Sequence, residues 1–249
     1  MSTIEDYMVK FLLPLVLLIF PLYVNAQVAI WPLMPRLEVG NKSVNVNLSN
    51  KGEQEKVLQV RVMRWQVNSD DNKALSQQSE LIVSPAIFEL SPNETQVVRL
   101  VYFTGVVPEH EEEHMYRVLI DDLTPQRDAS DGVSFKMRYS LPLAVGAPVD
   151  LPTPNQTQAY QRLAKEGIQL SCEFSENLSQ LVIENKTGIH WRISNLQLDG
   201  DQLHTVSEGL FDYLLPSEQI RVESPIDCDE LEDYALVFTS HRQEIRIPI

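Results

Sequence analysis

Cysteine is almost missing from this sequence: Cys172 and Cys228 are the only two, and both lie in the last third of the chain. Two cysteines cannot build a disulfide-dense miniature fold, and without any C-x-x-C spacing the common zinc and redox signatures are gone. Basic residues are also scarce. Twenty Lys and Arg stand against 35 Asp and Glu, a formal charge of −15. Phosphate contacts need clustered cations, so a nucleic-acid partner is not expected. The acidic surplus fits an exported protein with a solvated acidic surface. No G-x-S-x-G elbow and no phosphate-binding glycine loop occur, and none of the five histidines sits beside an evident Ser or Cys nucleophile. Nucleophilic catalysis therefore has no support, and no cofactor is expected. Beyond residue 26 no apolar run is long enough to span a bilayer.

What is present begins with an export signal pattern. Lys10 precedes an apolar run from Phe11 to Val24, and Val24-Asn25-Ala26 offers small residues for cleavage. The alternative is a membrane anchor, disfavoured because Pro14 and Pro21 interrupt a run shorter than the ~20 residues a spanning helix needs. The expected organisation is a signal peptide over 1–26, a first domain over 27–147, a linker over 148–160 and a second domain over 161–249. The remaining length suits two domains of about 100–120 residues.

Strand signals fill both domains. Residues 43–50 (SVNVNLSN), 57–67, 95–103 and 115–122 alternate apolar and polar side chains, and Asn/Gly/Asp/Pro-rich turns separate them. A second series follows at 168–174, 180–185, 190–198, 219–224, 234–240 and 244–249. The three prolines of Pro148-VDLPTPNQTQ mark the linker, and Tyr160-QRLAKEG has room for one helical turn. The expectation is all-β, two sandwiches. Export makes a Cys172–Cys228 disulfide the expected pairing, with two buried free thiols as the alternative. His110-Glu-Glu-Glu-His114 matches the H-E-x-x-H zinc-protease pattern. That chemistry needs a helix with both His on one face, Glu111 as general base and a third ligand. Pro108, the crowding acids and the strand pattern from Met115 deny the helix, so a solvated acidic loop is expected and no metal site.

The longest one-sided row is Val133, Phe135, Met137, Tyr139, Leu141, Leu143 and Val145, interleaved with polar or small residues. Seven positions exceed a typical strand of about five or six residues. The row serves either this protein's own core or a partner's. Six arginines, Arg36, Arg61, Arg64, Arg99, Arg117 and Arg138, stand out in so acidic a chain. Each is either an ordinary surface or core-edge residue or part of a cleft that captures an anionic group.

These blocks together resemble a known family. Ile30-Trp-Pro32, Arg61-Val-Met-Arg-Trp65, Ser84-Pro85 with Leu90 and Pro92, Tyr116-RVLIDDLTP and Met137-Arg-Tyr-Ser-Leu-Pro-Leu143 are similar to the N-terminal domain of periplasmic pilus chaperones, in detail to their archaic branch. The resemblance covers most of residues 28–147; the second domain matches only as a strand pattern. It implies two immunoglobulin-like β-sandwiches in an L-like arrangement and a non-enzymatic role in the periplasm. The implied partners are pilin subunits and an outer-membrane usher, with a self-capping oligomer as a further possibility. In the family, a donor strand completes a pilin whose own sandwich lacks a strand. By position, Val133, Phe135, Met137, Tyr139 and Leu141 correspond to the donor residues. The better-known branch holds the subunit's C-terminus with an Arg in the first strand and a Lys in the donor strand. Here Arg36 lies one residue displaced from the first, and Pro142 occupies the second. Arg99, then Arg117 and Arg138, are the candidate replacements. A secreted Ig-like adhesion module is the competing reading, for which the row would be internal core.

Overall fold

Every second side chain of the alternating segments turns inward, and the chain closes them into two sandwiches. The computed structural model describes residues 27–68, 72–125, 136–146, 157–175 and 178–249. In the first unit, β1 (Val28–Trp31), β3 (Ser43–Asn50), β8 (Thr95–Tyr102) and β6 (Leu81–Ser84) form one sheet in the order β1-β3-β8-β6. The facing sheet runs β2-β10-β9-β4-β5, from β2 (Arg36–Leu37), β10 (Arg138–Val145), β9 (His114–Asp122), β4 (Lys56–Val67) and β5 (Lys73–Ser76); β7 (Ile87–Leu90) also pairs with β4. Val46, Leu48, Val98 and Leu100 from one sheet meet Leu58, Val60, Val118, Ile120 and Leu143 from the other, all buried. This is the packing that period-2 patterning dictates for a half-solvated antiparallel sheet.

The second unit opens with α1 (Thr157–Gly167), three turns rather than one. It takes in the last residues of the expected linker. Tyr160 and Ala164, one helical turn apart, are both buried in the second core, which is why the segment is helical despite its polar composition. β11 (Ile168–Ser175), β12 (Leu178–Asn185) and β15 (Gln219–Glu223) form a three-stranded sheet. β14 (Leu203–Leu214), β13 (Trp191–Asp199), β16 (Ala235–Ser240) and β17 (Gln243–Pro248) form the other, in that order. Trp191 and Phe238 anchor the core between them. The side chain of Gln161 in α1 lies along the outer edge of β17: Arg246 N donates to its Oε1 at 3.2 Å, and its Nε2 donates to Arg246 O. One amide thus satisfies both backbone groups of Arg246, which an edge strand would leave bare.

Cys172 in β11 and Cys228 in a 3-10 turn are bonded, 56 residues apart. Closing so long a loop restricts the unfolded chain by about 4 kcal/mol on the chain-entropy argument. Reduction should therefore lower the unfolding free energy of the second sandwich by that order, read from urea denaturation followed through Trp191 fluorescence. The first sandwich should hardly respond.

β10 ends at Gly146, which has φ +60. A Cβ there would lie 2.6 Å from His110 Cδ2 and 3.2 Å from Val107 Cγ1. Both the left-handed backbone and the missing side chain are needed at this corner. Gly146→Ala is expected to cost at least about 1–2 kcal/mol in urea denaturation, since left-handed strain alone is of that size.

The two units touch along one end of the β2-β10-β9-β4-β5 sheet. At its middle, Trp65, Met115 and Ala144 pack on Tyr213 and Leu215, with the Trp65 and Tyr213 rings edge-on at 5.5 Å. At the β5 end, Lys73 Nζ stands 2.6 Å from Asp212 and 2.7 Å from Glu218. At the β2 end, Arg36 Nη1 stands 2.8 Å from Glu113 Oε1, and Glu113 Oε2 accepts from His190 N at 3.0 Å.

Candidate functional site: the free edge of β10 and the face beside it

β10 is paired with β9 along its whole length, Arg138 opposite Asp121 through Val145 opposite His114. On its other side only Ala144 and Val145 have a partner, the two residues of β2. From Arg138 to Leu143 that side carries no described strand. Backbone groups alternate sides along a strand. Ala144 N and Gly146 N donate toward β2, to Pro35 O and Leu37 O. By that alternation Arg138, Ser140 and Pro142 direct their backbone groups to the open edge. Proline is tolerated at 142 because the N–H it lacks belongs to that unpaired side and not to the β9 ladder. The edge therefore offers two donors, at Arg138 and Ser140, and carbonyls at all three positions.

The side-chain row along β10 divides between interior and surface. Met137 is 51% exposed, Tyr139 is half-buried against the first core, Leu141 is 7% exposed and Leu143 and Val145 are sealed. Val133 and Phe135 lie outside the described residues. The expectation that Leu141 is offered to a partner is corrected: it belongs to this protein's own core, because the facing sheet covers β10 by that point. Met137 and Tyr139 are the described members that remain available.

Outward-facing residues of the same sheet carry the charges. In register across β10, β9 and β4 stand Pro142, Arg117 and Met63, one row away from the joint between the sandwiches. Arg117 lies flat on Trp65, its guanidinium carbon 3.6 Å from the ring centroid, and 5.2 Å from the ring of Tyr213. No carboxylate of the described residues is within ion-pair distance of it. Burial pulls its pKa below the ordinary arginine value, and Tyr213 and Asp212 pull it back. It remains a charged fork held in place by aromatic faces, with its polar edge uncommitted.

The other arginines are placed differently. Arg138 and Arg61 both bind Asp121, Arg61 at 2.8 Å. Burial would raise that carboxyl's pKa, but the hydrogen bonds from Arg138 and Arg61 hold it below the usual range. Arg64 donates to Tyr116 Oη at 2.8 Å. Arg36 is committed to Glu113. Arg99, ranked first from sequence, is exposed on β8, opposite Asn45 and Ser84 in the sheet that does not contain β10. The structure does not bring it to the free edge, whereas Arg117, another of the candidates, stands beside it.

The acidic segment also differs from expectation. Glu111 and Glu112 are exposed, but Glu113 is enclosed, contacting Arg36 and His190. Burial would raise its pKa; the charge and hydrogen bond of His190, then Arg36, bring it below the ordinary value. His110 and His114 stack at 4.1 Å and do not lie on a helix. Among the described residues no three His, Cys, Asp or Glu side chains are grouped to hold a metal ion.

With this geometry in hand, comparison with known proteins is informative. Residues 36–148 match the family described as pili and flagellar-assembly chaperone, PapD N-terminal domain. Chaperone protein FanE of Escherichia coli is 26% identical over 201 residues, 80% of each chain. Among solved structures, a chain of the CsuC–CsuE chaperone–tip adhesion subunit pre-assembly complex from the archaic chaperone-usher Csu pili of Acinetobacter baumannii superposes with a TM-score of 0.68 at 24% identity, over 89% of this chain and 98% of that one. A chain of the Salmonella enterica SafA pilin–SafB chaperone complex gives 0.62 at 15% identity, over 90% and 97%. At these identities the structural likeness establishes the fold: two immunoglobulin-like sandwiches.

Proposed function

We propose, on the premise that this chain belongs to the pilus-assembly chaperone family through residues 36–148, that it folds and carries fimbrial subunits by lending them β10. The observation that supports this is the free edge from Arg138 to Leu143, with Met137 exposed at its open end. A subunit sandwich that lacks one strand has a bare sheet edge and an open apolar groove. The donors and carbonyls of Arg138, Ser140 and Pro142 satisfy the first. Met137 and Tyr139, continued by Phe135 and Val133, fill the second. Each such side chain contributes roughly 1.5–3 kcal/mol when fully buried.

The added strand runs toward the joint and ends where Pro142 withholds an N–H. Arg117 stands at that register and receives the subunit's terminal carboxylate as a charge-assisted pair. The family is one of chaperones, and no chemical step is assigned to this chain. Residues 1–26 direct it to the periplasm and are removed. There it passes its subunit to an outer-membrane usher of the archaic type, and release follows exchange for another subunit's strand rather than nucleotide hydrolysis. Free protein covers its own donor row by pairing with a second copy.

Co-expression with fimbrial subunits followed by affinity capture from the periplasm tests this. Wild-type protein should retain a subunit in soluble 1:1 complex, and Phe135→Asp should stay folded and retain none. Recovery of equal amounts of subunit with Phe135→Asp would overturn the reading.

A further inference from the structure

We infer that the second sandwich completes the seat for the subunit's terminal carboxylate, with Arg192 and Tyr213 facing Arg117 across the joint. This rests on the proposed function and adds to it residues that the first sandwich does not contain. In β13 and β14, Trp191 stands opposite Leu214 and Arg192 opposite Tyr213. Trp191 and Leu214 are buried in the second core. Alternation therefore turns Arg192 and Tyr213 to the outer face, where Tyr213 meets Trp65. Cross-strand neighbours have Cβ atoms about 4.5–5.5 Å apart. Arg192 thus stands beside the same ring that the Arg117 guanidinium approaches to 5.2 Å.

The polar ends of these side chains are largely unspent. Arg192 is half-buried, and among the described residues its side chain has one hydrogen bond, from Nη1 to Ser194 Oγ at 2.6 Å. No carboxylate of the described residues is within ion-pair distance of it. Tyr213 is 8% exposed, and a tyrosine buried to that degree ordinarily finds a partner for its hydroxyl. Among the described residues the hydroxyl has none. The ring is held instead by Trp65 at 5.5 Å and His190 at 6.3 Å, and only the backbone N of Tyr213 donates to Asp212. Asp212, the acid that acts on Arg117, is itself bound by Lys73 at 2.6 Å. Two guanidinium groups and a phenol therefore meet at one joint without a free anion, in a chain of formal charge −15.

A terminal carboxylate suits that gap. Its two oxygens accept about four hydrogen bonds between them, and charge-assisted bonds from arginine are short, about 2.7–2.9 Å. Arg117 and Arg192 each take one oxygen, and the Tyr213 hydroxyl donates to either. The two walls are tied to each other close by. Glu113, four residues before Arg117, accepts from His190 N at 3.0 Å and donates through its own N to Gly188 O at 2.8 Å. His190 lies two residues before Arg192. A charged chain end is thus read by both sandwiches at once, and an amide in the same place leaves the two arginines without their anion.

A fimbrial subunit that wild type retains on co-expression is purified and titrated into the full-length exported chain, once with its native carboxylate and once as the primary amide. The variants are Tyr213→Phe, which removes one oxygen and keeps the ring against Trp65, and Arg192→Gln, which removes a charge at a half-buried position. Near-UV circular dichroism checks that both are folded. Each is expected to bind the carboxylate subunit at least about tenfold more weakly than wild type, and the amide subunit as wild type does. A loss equal for carboxylate and amide in both variants, or no loss in either, would overturn the inference. Those results leave the lending of β10 intact, which fails separately if Phe135→Asp retains the subunit.

Discussion

Met137→Asp abolishes subunit capture and leaves the free chaperone as stable as before. Met137 is half-exposed in the free protein, so its replacement should change stability by less than about 0.5 kcal/mol. In the complex the same position enters an apolar groove. Losing the methionine costs roughly 1.5–3 kcal/mol, and a carboxylate placed there without a partner costs more. At about 1.4 kcal/mol per decade the expected fall in affinity is at least about 100-fold. Leu143, six residues along the same row, behaves in the opposite way. It has no exposed surface, so Leu143→Ala should destabilise the first sandwich by about 2–5 kcal/mol and weaken capture only through that loss. Urea denaturation of each variant, set beside titration with a purified subunit, separates the two cases. A Met137→Asp protein that binds as wild type would show that β10 is not what the subunit receives.

The second large effect is at Arg117. Removing one partner of a charge-assisted pair typically costs about 1.5–3 kcal/mol, so Arg117→Ala should weaken capture roughly 10- to 100-fold. Arg117→Lys should restore little, because the guanidinium's flat seat on Trp65 at 3.6 Å has no counterpart in an ammonium. Arg99→Ala should leave affinity unchanged, since Arg99 stands on the other sheet. A subunit whose terminal carboxylate is masked as the primary amide should bind wild type and Arg117→Ala alike. If Arg117→Ala distinguished masked from unmasked subunit as strongly as wild type does, the anchor would lie elsewhere.

Much of this was legible in the chain itself. Period-2 alternation located β3 and β8 nearly to the residue, because each turns alternate side chains onto a sandwich core; β16 was found as a short apolar run, buried on both faces. β14 gave no such signal. The ladder between β13 and β14 slips three times, and Gly209 with φ +69 sits in it, its N–H bonded to Asn195 Oδ1 at 2.9 Å. A bulge resets which face a side chain takes, so the alternation cannot be read through it. α1 was underestimated for a related reason: only two of its side chains are buried, too few to stand out against its polar residues.

The site was partly legible. Its one-sided row was plain, but ownership of Leu141 was not, because one-sidedness does not say which core lies on that side. The position of Arg117 beside the joint was also open to reading. Met115, Arg117, Leu119 and Asp121 alternate with the core residues Tyr116, Val118 and Ile120, so they share the outward face. Two apolar residues on an outward face announce a covered surface, and an arginine between them is held by that cover. Glu113 carried no signal, since nothing distinguishes it from Glu111 and Glu112 until the second sandwich arrives.

Gln161 gives the pair of sandwiches an asymmetry that matters for solubility. Each unit finishes on a terminal strand, β10 in one and β17 in the other. The second is clasped at Arg246 by a single amide, whereas the first meets no described strand over six residues. On the proposed function, a protein that recruits a foreign strand at one border must refuse it at the equivalent border, or copies would string together head to tail. The glutamine supplies that refusal without adding a strand of its own.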